Sequence, residues 1–206
     1  SSAGWNWQPP ICPACWTRPE RIERPFCSQC GRPHRERIGF GTAGDFPCAD
    51  CRNKRPAPYR RVWAACDYSG AIAEAVKLLK FQGKLRLASP LAEEICRYAE
   101  REMDVEGYDA IVPVPLHRVR QRSRGFNQAE LIAAQVAPAF MRARLDTSLR
   151  RIRPTRTQSR ITNPAERREN VRGAFAVERD RSFKGERVLL LDDVVTTGGT
   201  VALTGG

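Results

Sequence analysis

RVLLLDDVVTTGGTV, residues 187–201, is the stretch on which the fold turns. Residues 188–191 are all apolar, so a strand here is hydrophobic on both faces, as a central strand of a parallel sheet should be. Two adjacent carboxylates, Asp192 and Asp193, end the run, and a loop of threonines and glycines follows. In an open parallel sheet, ligands sit beyond the carboxyl ends of the strands. Each carboxylate brings two acceptor oxygens and no donor, which suits a vicinal diol. Thr196, Thr197, Gly198, Gly199 and Thr200 bring hydroxyl donors, a closely approachable backbone and N–H groups at an expected helix start, which suits a phosphate. A diol grip beside a phosphate cradle describes a ribose 5-phosphate. No Gly-Lys-Ser/Thr is present, so this is not a nucleoside-triphosphate P-loop.

Upstream, strand and helix patterns alternate. AIAEAVKLLKF puts Ile72, Val76 and Leu79 on one helical face. SPLAEEICRYA offers Ser89 as N-cap and Pro90 at the first helical position, with Leu91, Ile95 and Tyr98 as the stripe. DAIVPVPL reads as a short strand ending at Pro113, and FNQAELIAAQV aligns Phe126, Ala129, Ile132, Ala133 and Val136. This alternation argues for a doubly wound α/β parallel sheet. Two stretches resist regular structure: residues 115–125, with Arg118, Arg120, Arg122 and Arg124 at alternate positions, and residues 148–172, with eight arginines. Long loops in compact domains are usually functional or disordered.

The 206 residues carry 35 Lys and Arg against 23 Asp and Glu, a net charge of +12. Such a balance suits nucleic acid or phosphorylated small molecules, and also a merely solvated basic surface. Hydrophobic residues make up 41%, enough for a core, yet no apolar run approaches the ~18 residues of a membrane span. No secretion signal opens the chain. It starts SSAGWNWQPP, without Met, and reads as processed, trimmed or a fragment.

Six of eight cysteines form three C-x-x-C pairs, Cys12/Cys15, Cys27/Cys30 and Cys48/Cys51. Close pairs of this kind indicate metal ligation in a reducing compartment, not a secreted disulfide frame. A tetrahedral zinc takes four thiolates from two such knuckles. One arrangement joins Cys27/Cys30, where Gly31 eases the turn, to Cys48/Cys51. The other joins Cys12/Cys15 to Cys27/Cys30. His34 is a further candidate ligand. Cys66 and Cys96 read as small hydrophobes. The organisation expected is a cysteine-rich module over 1–58, stapled because it cannot build an apolar core, a linker at 55–61, and an α/β domain over 59–206.

The 187–201 stretch resembles the phosphoribosyl-pyrophosphate motif of type I phosphoribosyltransferases, and VPVPLHRVRQRSRGFNQAELIA (112–133) resembles the matching signature of the ComF/GntX family. LKFQGK, RRENVRGAF and the cysteine module share that layout. The resemblance implies a zinc ribbon preceding a type I phosphoribosyltransferase-like sheet flanked by helices. It implies that Asp192 and Asp193, as binding and catalytic groups, hold the ribose hydroxyls of 5-phosphoribosyl-1-pyrophosphate. Residues Thr196 to Thr200 would hold the 5-phosphate. His117, Arg118, Arg120, Arg122 and Arg124 would lie near the pyrophosphate or a nucleic acid, and residues 150–172 would form a flap containing Gln158 and Asn170. Mg²⁺ would accompany the pyrophosphate, and Cys12, Cys15, Cys27, Cys30, Cys48 and Cys51 would be the zinc-ligand pool. Set against the family pattern, the first cysteine pair and the elements after the phosphate loop would be missing. The family is associated with DNA uptake in natural transformation. That association implies a cytoplasmic location and, as partners, single-stranded DNA and the uptake machinery. The alternative to a phosphoribosyl-handling protein is a single-stranded DNA-binding competence factor with a relic or regulatory sugar site. Phosphoribosyl transfer needs no covalent nucleophile, and no Ser/His/Asp or Cys/His set is evident.

Overall fold

The computed structural model describes residues 12, 16, 19–34, 46–53, 59–154, 170 and 172–195. The fold is mixed α/β: a parallel three-stranded sheet with helices against it, and a four-cysteine cluster in the N-terminal region. In chain order the helices are α1 (Ala49–Arg52), α2 (Gly70–Gln82), α3 (Ala88–Glu102), α4 (Arg118–Arg124) and α5 (Gln128–Val136). The strands are β1 (Ala110–Pro113), β2 (Arg144–Leu145), β3 (Leu149–Arg151), β4 (Phe175–Val177) and β5 (Val188–Leu191).

The sheet order is β2-β1-β5, all parallel, with Ala110 opposite Val188 and Pro113 opposite Leu191. Among the described residues β1 is therefore the central strand and is buried throughout. β5 is expected from its four apolar residues to be central, yet pairs on one side only among the described residues, and of the four only Leu191 is fully buried. β3 and β4 form a separate antiparallel ribbon, with Arg151 opposite Phe175.

The helical stripes fall as the periodicity requires. Ile72, Val76 and Leu79 of α2, Leu91 of α3, and Ile132, Ala133 and Val136 of α5 are buried around Ile111 and Leu191 in one cluster. Two local expectations differ. α3 starts at Ala88, so Ser89 lies inside the first turn and not at the cap. The 3₁₀ turn Leu85–Leu87 runs straight into the helix and leaves no break for a capping side chain. Pro90 is still tolerated, because the first-turn N–H groups have no intrahelical acceptor.

The arginine stretch 115–125 is the second difference. Residues 118–124 form α4, opened by His117, whose Nδ1 accepts from Val119 N at 3.4 Å. Gly125 closes it at φ +82°, donating its N–H to Gln121 O at 2.7 Å. Helical geometry converts alternate arginines into two i,i+4 pairs. Arg118 and Arg122 are exposed, while Arg120 and Arg124 are half-buried.

The cysteine-rich segment packs on α3. Phe26 is fully buried, its ring 6.3 Å from Tyr98 and 6.5 Å from Trp63. Arg21 makes two bonds of 2.8 and 3.0 Å to Glu94, itself only 3% exposed, and Arg24 Nε reaches Glu102 at 2.7 Å. Of the expected linker only residues 59–61 are described.

Candidate metal centre and carboxylate site

Two clusters concentrate the chemistry. In the first, the sulfurs of Cys27, Cys30, Cys48 and Cys51 all lie within 4.8 Å of one another. The pairing of 27/30 with 48/51 is thus the one realised among the described residues. Cys12 stands exposed and apart from this group, and Cys15 is outside the described residues. His34 is not in the cluster; its ring stacks on Phe46 at 4.2 Å and its Nε2 lies 3.2 Å from Phe46 O.

The backbone shapes this cluster. Gly31 sits at φ +69°, and a Cβ there would come within 2.6 Å of Val62 O, so only glycine closes the first knuckle without strain. Cys27 Sγ receives N–H bonds from Gln29 and Cys30 at 3.4 Å and from Cys48 at 3.2 Å. Burial opposes ionisation of Cys27, but these donors outweigh it and lower its thiol to about 6. Burial pushes Cys30 and Cys51 the other way, and neighbouring thiols add to the rise at Cys51. Four thiolates this close repel one another, and a divalent cation at their centre offsets that repulsion. Metal–sulfur bonds of ~2.3 Å in a tetrahedron place sulfurs about 3.8 Å apart. Cys30 and Cys48 sulfurs are 3.8 Å apart. The donor set fits a soft tetrahedral ion. By contrast Cys66, pushed up to about 11 by burial and then by Glu94, and Cys96, also raised by burial, are quiet half-buried thiols, as the sequence suggests.

The second cluster lies past the carboxyl end of β5. Asp193 is 3% exposed at its side chain and pairs with Lys80 of α2. Gln128 Nε2 of α5 also donates to Asp193 Oδ1 at 3.3 Å, and Gln128 Oε1 accepts from Arg124 Nη1 at 2.5 Å. Asp192 Oδ1 accepts the Asp193 N–H at 2.9 Å. Burial raises the Asp192 carboxyl well above the ordinary carboxylate range, and the adjacent Asp193 charge raises it further. The two carboxylates thus differ: one is disposed to keep a proton, the other sits against an ammonium.

Three arginines bear on this pair. Burial lowers the pKa of Arg124, with Asp193 acting against that and Arg120 adding to it. Burial likewise lowers Arg151, with Arg120 adding and Asp192 opposing. Arg124 and Arg151 therefore bear on the carboxylates and Arg120 on those two arginines, while Arg118 and Arg122 are exposed. His117 is half-buried and caps α4 through Nδ1. A cavity of about 680 Å³ is lined by Asp192, Asp193 and Val194, by Asp67 and Tyr68, and by Cys30 and Cys51 of the cysteine cluster. That volume is in the range of small-molecule sites.

Residues Thr196, Thr197, Gly198, Gly199 and Thr200 lie outside the described residues, as does Gln158 of the expected flap. Asn170 is described, and its carbonyl accepts from Arg153 Nη2 at 3.3 Å. Lys80 and Gln128 are the members that sequence reasoning misses. Lys80 carries a signal in hindsight, because it stands four residues after Val76 and one after Leu79, on the margin of the buried stripe.

The chain thus combines a parallel α/β sheet, paired acids past its carboxyl edge and a four-cysteine cluster. The chain belongs to the ComF family. It is 33% identical over 196 residues to the DNA utilization protein YhgH of Escherichia coli K12, covering 93% of this chain and 81% of that protein. It is 29% identical over 181 residues to competence protein F of Haemophilus influenzae, covering 86% and 75%. To competence protein ComFC of Bacillus subtilis it is 23% identical over 202 residues, covering 93% and 74%. No family model and no solved structure matches the chain.

Proposed function

We propose that this protein binds 5-phosphoribosyl-1-pyrophosphate beyond the carboxyl edge of its sheet, in the service of DNA uptake. Asp192 and Asp193 take the ribose hydroxyls, and Thr196 to Thr200 take the 5-phosphate. The observation that carries this reading is the carboxylate pair at the end of β5, where the enclosed Asp193 side chain meets Lys80 and the charges of Arg124 and Arg151 bear on Asp193 and Asp192. Acceptors for a diol and cations for a pyrophosphate converge there within one small site. Where transfer occurs, charge grows on the departing pyrophosphate; the arginines of α4 offer compensating charge, and a Mg²⁺ ion bound with the ligand would add to it. The link to DNA uptake is supported by the names of the relatives, which are DNA utilization and competence proteins.

In the same reading the four-cysteine cluster holds a structural zinc, and residues 1–58 and 59–206 are the two domains. The cysteines described are free thiols, which fits the reducing cytoplasm. No helix among the described residues is long and apolar enough to cross a membrane.

The diol itself can be tested with fragments. Ribose 5-phosphate and 2-deoxyribose 5-phosphate differ by one hydroxyl. A hydrogen bond to a charged group contributes about 1.5–3 kcal/mol. The ribose compound should therefore bind roughly tenfold to a hundredfold more tightly in a calorimetric titration. Equal affinities would remove the diol from the site.

A further inference from the structure

We propose that Gln128 is a positioning residue, a neutral spacer that keeps Arg124 and Asp193 apart and so leaves both charges open to a ligand. The inference rests on the phosphoribosyl reading of the carboxylate site given above. A guanidinium and a carboxylate pair readily, often through two parallel bonds. Here one amide stands between them. Gln128 Oε1 accepts from Arg124 Nη1 at 2.5 Å, and Gln128 Nε2 donates to Asp193 Oδ1 at 3.3 Å. An amide serves both neighbours because it carries an acceptor at one end and donors at the other. A carboxylate in its place would repel Asp193, and an ammonium would repel Arg124.

The spacer is held from behind. Gln128 is 4% exposed, too enclosed for solvent to take over its bonds. It opens α5 directly after the cap residue Asn127, whose Oδ1 accepts from Ala129 N at 3.2 Å and whose Nδ2 donates to Val114 O at 3.1 Å. Val114 N in turn donates to Leu191 O at 2.9 Å, at the end of β5. The contacts thus close a ring, from the end of β5 through Val114, Asn127 and Gln128 back to Asp193. Charge is shared out accordingly. Asp193 has Lys80 as its own counter-ion and needs no second cation. Arg124 bonds a neutral acceptor and keeps its charge for an incoming anion such as pyrophosphate. Joined directly, the two charges would satisfy each other, and a ligand would have to break that pair before using either.

Calorimetric titration with ribose 5-phosphate, the half of the ligand that carries no pyrophosphate, tests the spacer. Gln128→Ala lets Arg124 swing onto Asp193 and should weaken binding about tenfold or more, as for the loss of one bond to a charged group. Gln128→Ser serves in its place if the alanine variant does not fold. Adding Arg124→Gln frees Asp193 again and should recover most of the lost affinity. A simple packing defect at position 128 would gain nothing from that second change. Thermal melting gives an arm without ligand. The coupling between Arg124→Gln and Asp193→Asn, measured by a double-mutant cycle, should be larger in the Gln128→Ala background than in the wild type, because the direct pair forms there alone. Failure of Arg124→Gln to recover ribose 5-phosphate binding, or a coupling no larger than in the wild type, would overturn the spacer. If the coupling grows while the wild-type protein gives no heat with ribose 5-phosphate, the spacer stands and the phosphoribosyl reading falls.

Discussion

Serine in place of Cys27 or Cys48 should strip the protein of its metal and loosen residues 19–34 and 46–53 around the vacated knuckle. The wild-type protein should carry about one zinc per chain by elemental analysis. Cys27 is the fully buried member and accepts three backbone N–H bonds, so the fold has been built around a negative sulfur at that point. A serine hydroxyl is a poor ligand for a soft ion and a weaker acceptor for those donors. Structural zinc binding of this kind is worth about 10–16 kcal/mol and is inseparable from folding. The effect should therefore exceed that of any single apolar truncation in the chain. It should also reach α3, because Phe26, fully buried beside the cluster, packs on Tyr98 and Trp63. Trp63 is one of four tryptophans, so near-ultraviolet circular dichroism and Trp fluorescence report on it once Trp5, Trp7 and Trp16 are replaced by phenylalanine. A metal-free protein with an intact Trp63 signal would show that the cysteines fold the segment unaided.

The second large effect is expected at Lys80. Its ammonium faces a carboxylate that is 3% exposed, while Lys80 itself keeps 21% of its side-chain surface. Removing one partner of a buried pair leaves the other charge stranded, which costs roughly 3–5 kcal/mol. Partial exposure of Lys80 points to the lower end of that range. Lys80→Met keeps the length and apolar stem and deletes only the charge. It should lower the melting temperature by roughly 6–12 °C for a chain of this size. Adding Asp193→Asn should restore most of the loss, because no buried anion then remains. A Lys80→Met protein as stable as the wild type, or a double variant worse than the single, would show that the pair is not a compensated buried charge.

Lys80 also shows where legibility ends. The apolar stripes of α2, α3 and α5 repeat every three to four residues, and the core forms from them as written. The four apolar residues before Asp192 define a strand, and C-x-x-C spacing defines the knuckles, because both signals are local. A lysine beside such a stripe, read alone, is a solvated residue. Its role exists only because the end of α2 abuts the end of β5, a contact more than one hundred residues long in sequence. Gln128 is hidden for the same reason, as the first residue of an amphipathic helix, where its side chain happens to bridge Arg124 and Asp193. α4 is hidden for a different one. Seven residues with Val119 as the sole apolar member carry no hydrophobic period, so only its ends, His117 and Gly125, mark it as a helix. Of the two acids, Asp193 contacts Lys80 of α2 and Gln128 of α5, which makes its charge a matter of stability as well as of binding.

Calorimetric titration of 5-phosphoribosyl-1-pyrophosphate with Mg²⁺ tests the carboxylate site most directly, run in parallel on the wild type and on Asp192→Asn/Asp193→Asn. Asparagine keeps the shape of each side chain and one acceptor oxygen; it removes one acceptor oxygen at Asp192 and the charge-assisted bond at Asp193, and bonds to charged groups are worth about 1.5–3 kcal/mol. The wild type should bind the ligand, and the double variant should bind it at least roughly a hundredfold more weakly while remaining folded. Equal affinity of the two proteins, or no heat from the wild type up to millimolar ligand, would contradict the assignment of Asp192 and Asp193 to the ribose.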